Sequence, residues 1–185
     1  MQAKDMAEAL TGPDAEEIMT HFAGYMQTFL SASGFDQNPL VKGMMAGATP
    51  AQSLGLKRAD LDALYGVAFA SLTSGDMQRA DDLFMYLCLL DPLEARYRYC
   101  LGVIAQQRGT FDLAVEHFIN FLALDATNAD GYLRLGECYA ALGNKTEARE
   151  AFEIAAAEAA KGNGDAAALA EARRNLSLLV MEAPR

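Results

Sequence analysis

Residues 97–109, YRYCLGVIAQQRG, read as one helix with a glycine, Gly102, at its centre. A glycine inside a helix costs about 1 kcal/mol relative to alanine. A chain that keeps one there is using the missing side chain, and a neighbouring helix is expected to press against Gly102. The segment is also not unique. At a spacing of 34 residues Leu101 and Gly102 recur as Leu135 and Gly136, and the same spacing backwards lands on Val67 and Ala68. The register holds in three further series: Gly75, Gly109 and Gly143; Ala80, Ala114 and Ala148; Phe84, Phe118 and Phe152. Three copies result, 61–94, 95–128 and 129–162.

A 34-residue period with small residues at its eighth and twentieth positions, a turn glycine at the fifteenth and an aromatic at the twenty-fourth resembles the tetratricopeptide repeat, a helix-turn-helix unit. Small residues let the two helices of a unit approach closely, and the aromatic fills the space beside them. SGD at 74–76, RGT at 108–110 and LGN at 142–144 put a glycine where each first helix must stop. The expected fold is all-α: three tandem tetratricopeptide repeats in a right-handed helical solenoid, with an N-terminal helix before them and a capping helix after.

The flanks divide accordingly. Residues 1–32 hold a helix opened by the capping pair Asp14 and Glu17 and striped with Ile18, Phe22, Tyr25, Met26 and Phe29. Two uses of that stripe stand open, a contact between two copies of the chain and packing within one. Residues 33–60, rich in Gly, Pro and small side chains, read as a linker with one short helix started by Thr49 and Pro50. After KGNGD, residues 165–182 carry Leu169, Ala172, Leu176, Leu179 and Val180 on one face, as a cover for the last repeat should.

Stacked helix hairpins present the first helix of each repeat on an inner face, at the fifth, ninth and twelfth positions. These are Tyr65, Phe69 and Leu72, then Tyr99, Val103 and Gln106, then Leu133, Glu137 and Ala140. The wall starts apolar and becomes mixed, which suits an extended peptide with hydrophobic anchors; we take Tyr65, Phe69, Leu72, Tyr99, Val103, Gln106 and Leu133 as its contacts. Packing against a neighbouring helix is the competing use of the three aromatics. A groove for a terminal carboxylate would need Lys, Arg and Asn at the second, fifth, sixth and ninth positions, and only Arg96 and Arg134 occur there.

Composition narrows the function. The formal charge of −10 and the scattered 15 Lys and Arg exclude a phosphate-binding surface, hence nucleic acid. No apolar run is long enough to span a bilayer and the first residues lack a secretory apolar core, so direct membrane insertion is not expected and the chain reads as cytoplasmic. Cys88, Cys100 and Cys138 share no ligand spacing and fall among apolar neighbours, as buried thiols do. His21 and His117 are isolated, and no phosphate loop, HExxH or nucleophile elbow is present. Neither catalytic residues, a metal nor a cofactor is expected.

Residues 64–118, with LYGVAF, the LCLLDPLEARY junction and LGVIAQQRGTFDLA, go beyond the generic repeat and resemble the class II chaperones of type III secretion systems, the LcrH/SycD type. The resemblance implies a cytoplasmic chaperone that keeps hydrophobic, pore-forming translocator proteins soluble by holding an extended client segment in its groove. It also implies that the N-terminal helix serves as a homodimer contact in several relatives. A repeat scaffold serving another assembly or secretion pathway is the alternative.

Overall fold

In the computed structural model, Gly24, Gly34 and residues 37–181 are described. The N-terminal stripe from Ile18 to Phe29, the Asp14–Glu17 pair and His21 lie outside these residues. The chain divides into two compact units, 1–56 and 57–185. Among the described residues all regular structure is helical.

In the first unit the expected single short helix is joined by another. Helix α1, Pro39–Met45, starts where Asn38 accepts the Leu40 N–H at 2.9 Å and Pro39 takes the first helical position. Helix α2, Pro50–Ser53, has the expected Thr49 cap: Thr49 and Gln52 bond each other's backbone N–H.

The second unit is a run of seven helices: α3 Arg58–Thr73, α4 Met77–Leu90, α5 Ala95–Gln107, α6 Phe111–Leu124, α7 Ala129–Ala141, α8 Lys145–Ala160 and α9 Ala166–Met181. Each packs on the next, and α9 reaches back to α7 as well. α3 begins three residues earlier than the repeat frame suggests, because the Asp60 carboxylate accepts the Lys57 N–H at 2.8 Å and fixes an earlier first turn.

The three turns are built alike. Gly75, Gly109 and Gly143 take φ of 85°, 73° and 79°, a conformation that costs other residues steric energy. In each, the next N–H reaches back across the turn: Asp76 to Ser71 at 2.9 Å, Thr110 to Ala105 at 3.0 Å and Asn144 to Tyr139 at 2.9 Å.

Gly102 meets the neighbouring helix through Phe118. A Cβ on Gly102 would lie 2.7 Å from the ring of Phe118, and one on Gly136 would lie 2.6 Å from Phe152. The aromatic at the twenty-fourth position therefore lies on the small residue at the eighth, face to backbone. Gly131 is a further close approach that the period did not reveal, with Phe121 2.5 Å from the position of its missing Cβ. It seats the start of α7 on the end of α6. The core continues from there: one cluster unites Ala105, Phe118, Phe121, Leu122, Leu135 and Cys138, and the next joins Leu133, Phe152, Ala155, Ala172 and Leu179 under α9.

Candidate peptide-binding groove

The first helices α3, α5 and α7 carry the expected inner-face residues. On α3, Tyr65 is half-buried and Phe69 is 46% exposed. Their rings stack with centroids 6.0 Å apart and planes 16° apart, so the pair forms one aromatic ledge. The edge of Tyr65 rests on Phe84 at 5.7 Å and its ring lies 6.0 Å from Tyr97, which anchors the ledge to the core. Leu72 is half-buried one turn further on.

Arg96 crosses the ledge with its guanidinium 4.9 Å from the Tyr65 ring centre. It is held there by Glu94 at 2.9 Å and Asp62 at 3.5 Å, while Arg58 binds Glu94 and Asp62 from the other side. The hydrogen bonds from Arg96 and Arg58 outweigh burial and bring the Glu94 pKa down to about 2. Sequence reading placed Arg96 at the right repeat position but only as a failed carboxylate clamp. Its role over Tyr65 depends on the Glu94 and Asp62 tethers, which no spacing announces.

On α5, Tyr99 packs edge-on against Phe118 at 5.8 Å and Phe121 at 5.2 Å, and its hydroxyl donates to the Asp130 carboxylate. Burial first, then Asp130, pushes its pKa up to about 12, so it stays a donor. Tyr65 and Tyr99 come together as walls of one cavity of about 590 Å³, completed by Leu93, Arg96, Phe121 and Asp130. Val103 is half-buried against the core. Gln106 spans to the third repeat, its amide donating to Glu137 at 2.9 Å, and Arg134 donates to the same carboxylate oxygen at 3.2 Å.

Leu133 does not join them. Only 3% of it is exposed, and it packs with Ala148, Phe152 and Ala172 in the core. It shares its repeat position with Tyr65 and Tyr99, but α7 has α9 stacked on it, which moves that position from wall to interior.

The remaining titratable candidates are packed rather than poised. Cys88, Cys100 and Cys138 are free and buried, and burial raises all three, Cys100 and Cys138 to about 11. His117 is buried on α6 and desolvation holds its pKa below 6.5. Among the described residues no three His, Cys, Asp or Glu converge as metal ligands, and no helix is long and apolar enough to cross a membrane.

No family model matches the chain. It is 28% identical over 112 residues to the low calcium response locus protein H of Yersinia pestis, spanning 60% of this chain and 67% of that protein. Its structure is similar to a type III secretion complex from Aeromonas hydrophila, with a TM-score of 0.72 and 27% identity over 76% of this chain and 94% of that one. It is similar as well to PcrH crystallised with the chaperone-binding region of PopD, with a TM-score of 0.66 and 28% identity over 69% of this chain and 96% of PcrH.

Proposed function

We infer that this chain is a translocator chaperone of type III secretion, a tetratricopeptide-repeat protein that keeps a hydrophobic client soluble by holding an extended segment of it along α3, α5 and α7. One observation carries the reading. The Tyr65–Phe69 ledge is anchored on its core side, open on its outer side and continuous with a cavity of about 590 Å³ between Tyr65 and Tyr99. PcrH, 28% identical over 69% of this chain, was crystallised in complex with the chaperone-binding region of PopD.

The energetics suit a carrier that must release its load. Each apolar client side chain buried against the ledge contributes about 1.5–3 kcal/mol, and ordering the peptide gives several back. Two or three anchors contribute about 3–9 kcal/mol before that cost is subtracted, which leaves a reversible complex. Tyr65, Phe69, Leu72 and Tyr99 supply the apolar contacts in this reading, with Val103 and Gln106 continuing the wall. The work is binding, without bond chemistry, in the bacterial cytoplasm.

Co-expression with a candidate membrane-inserting translocator tests the reading. Wild type should keep that client soluble and Phe69→Asp should lose it. An undiminished yield of soluble client from the variant overturns the groove.

A further inference from the structure

We propose that the C-terminal helix α9 is a wall of the peptide groove as well as the cover of the last repeat, and that the cavity between α7 and α9 takes a second apolar side chain of the same client segment. The proposal rests on the reading above and extends it to the far end of the groove.

A cavity of about 290 Å³ lies between the two helices, with buried Phe152 and Leu179 among its lining residues. Glu137 and Ala140 line it from α7, Lys145 from α8, and Asn175 and Leu178 from α9. Glu137 and Ala140 are the ninth and twelfth positions of the third repeat, in register with Phe69 and Leu72 of the first. The cavity therefore continues the same inner wall. An apolar cavity of about 150 Å³ already admits a benzene-sized ring, so this one has room for one large side chain.

The surface of α9 points the same way. A helix that only covers a solenoid end buries one face and keeps the other polar. α9 buries Ala168, Ala172 and Leu179, and exposes Arg173, Arg174 and Ser177. Leu178 breaks this pattern: it is 50% exposed and its side chain lines the cavity.

The lining carries two charged side chains, Lys145 from α8 and Glu137 from α7, and Glu137 is already engaged by the Gln106 amide and by Arg134. A cationic client group would have to displace both, whereas an aliphatic or aromatic side chain covers Leu178, Leu179 and Phe152 without disturbing them. The client segment is the fitting partner because Glu137 joins the cavity to Gln106 on the preceding wall.

The test is a fluorescence-anisotropy titration of a labelled peptide carrying the chaperone-binding region of PopD into the full chain. Wild type, Phe69→Asp, Leu178→Asp, Leu178→Gln and Arg173→Asp are compared, with thermal melts confirming the fold of each. Both Leu178 variants should raise Kd by about tenfold, and Arg173→Asp, on the solvent side of α9, should not. Wild-type affinity in both Leu178 variants, with Phe69→Asp weakened, overturns this proposal and leaves the groove reading standing. Absence of binding by wild type, or unchanged binding in Phe69→Asp, overturns the groove reading and this proposal together.

Discussion

The first and third helix pairs share one 34-residue frame, yet the frame means different things in each. Position five is the half-buried Tyr65 in the first pair and the core residue Leu133 in the third; position nine is the open Phe69 in the first and the tethered Glu137 in the third. The difference lies in what packs beside α7. α9 stacks on both helices of the third pair and closes over Leu133, leaving a cavity lined by Glu137, Lys145 and Leu178 among others. Repeat register fixes where a side chain points, and the next helix along decides whether that direction is surface or core.

The sharpest way to break this contrast is to truncate the two sides separately. Leu133→Ala removes a core side chain beside Phe152 and should cost about 2–5 kcal/mol of stability. Phe69→Ala removes a half-exposed ring whose main contact is Tyr65, and should cost less than about 1 kcal/mol while weakening client binding. Urea unfolding of both variants measures the gap. Equal losses would mean that Phe69 belongs to the core and the ledge is no binding surface.

A smaller effect separates the repeats at the eighth position. Alanine there is native in the first repeat, Ala68, whereas Gly102 and Gly136 carry aromatic rings directly on the backbone. Gly102→Ala and Gly136→Ala gain up to about 1 kcal/mol of helix propensity, but each new methyl meets a buried ring, at a typical overpacking cost of about 1–3 kcal/mol. The expected net loss is up to about 2 kcal/mol for each. Ala68→Gly should also destabilise, by about 1 kcal/mol. A stabilised Gly102→Ala would show that Phe118 has room to retreat.

These positions also mark how far the sequence could be read. The small-to-aromatic pairing was legible because both partners lie in one repeat and recur with the period. The turn glycines were legible because a left-handed φ selects their residue type. Leu133 was misread because its burial depends on α9, an element outside the period. The helix at Pro39–Met45 was passed over although Asn38 and Pro39 are a start signal, since the surrounding glycines and methionines lack a helical stripe. Arg96 over Tyr65 was invisible because it is set by tethers from two different helices.

The two junctions between repeats give the last and smallest contrast, and it is one of pH. Where α4 passes to α5, Glu94 caps α5 and joins Arg58 and Arg96. Where α6 passes to α7, the cap is uncharged Asn128, which bonds the Gly131 N–H at 3.0 Å and donates to Asp125 at 2.9 Å. At the first junction the Glu94 carboxylate is drawn from 4.5 down to about 2. A depressed carboxyl pKa stabilises the fold at pH above 4.5, where the unfolded chain is also ionised. As pH falls below 4.5 the unfolded chain takes up the proton first, and the stabilisation drains away until the folded group titrates near 2. Both arginines are about half exposed, so solvent screening reduces the contribution to about 1–2 kcal/mol. Glu94→Gln should lower stability by that amount at neutral pH and converge on wild type as the pH approaches 2, whereas Asn128→Ala removes an uncharged cap and should cost about 1 kcal/mol at neutral pH. Denaturant unfolding from neutral to acid pH reads both effects, and parallel curves for Glu94→Gln and wild type would show that the arginines hold Tyr65 without help from this carboxylate.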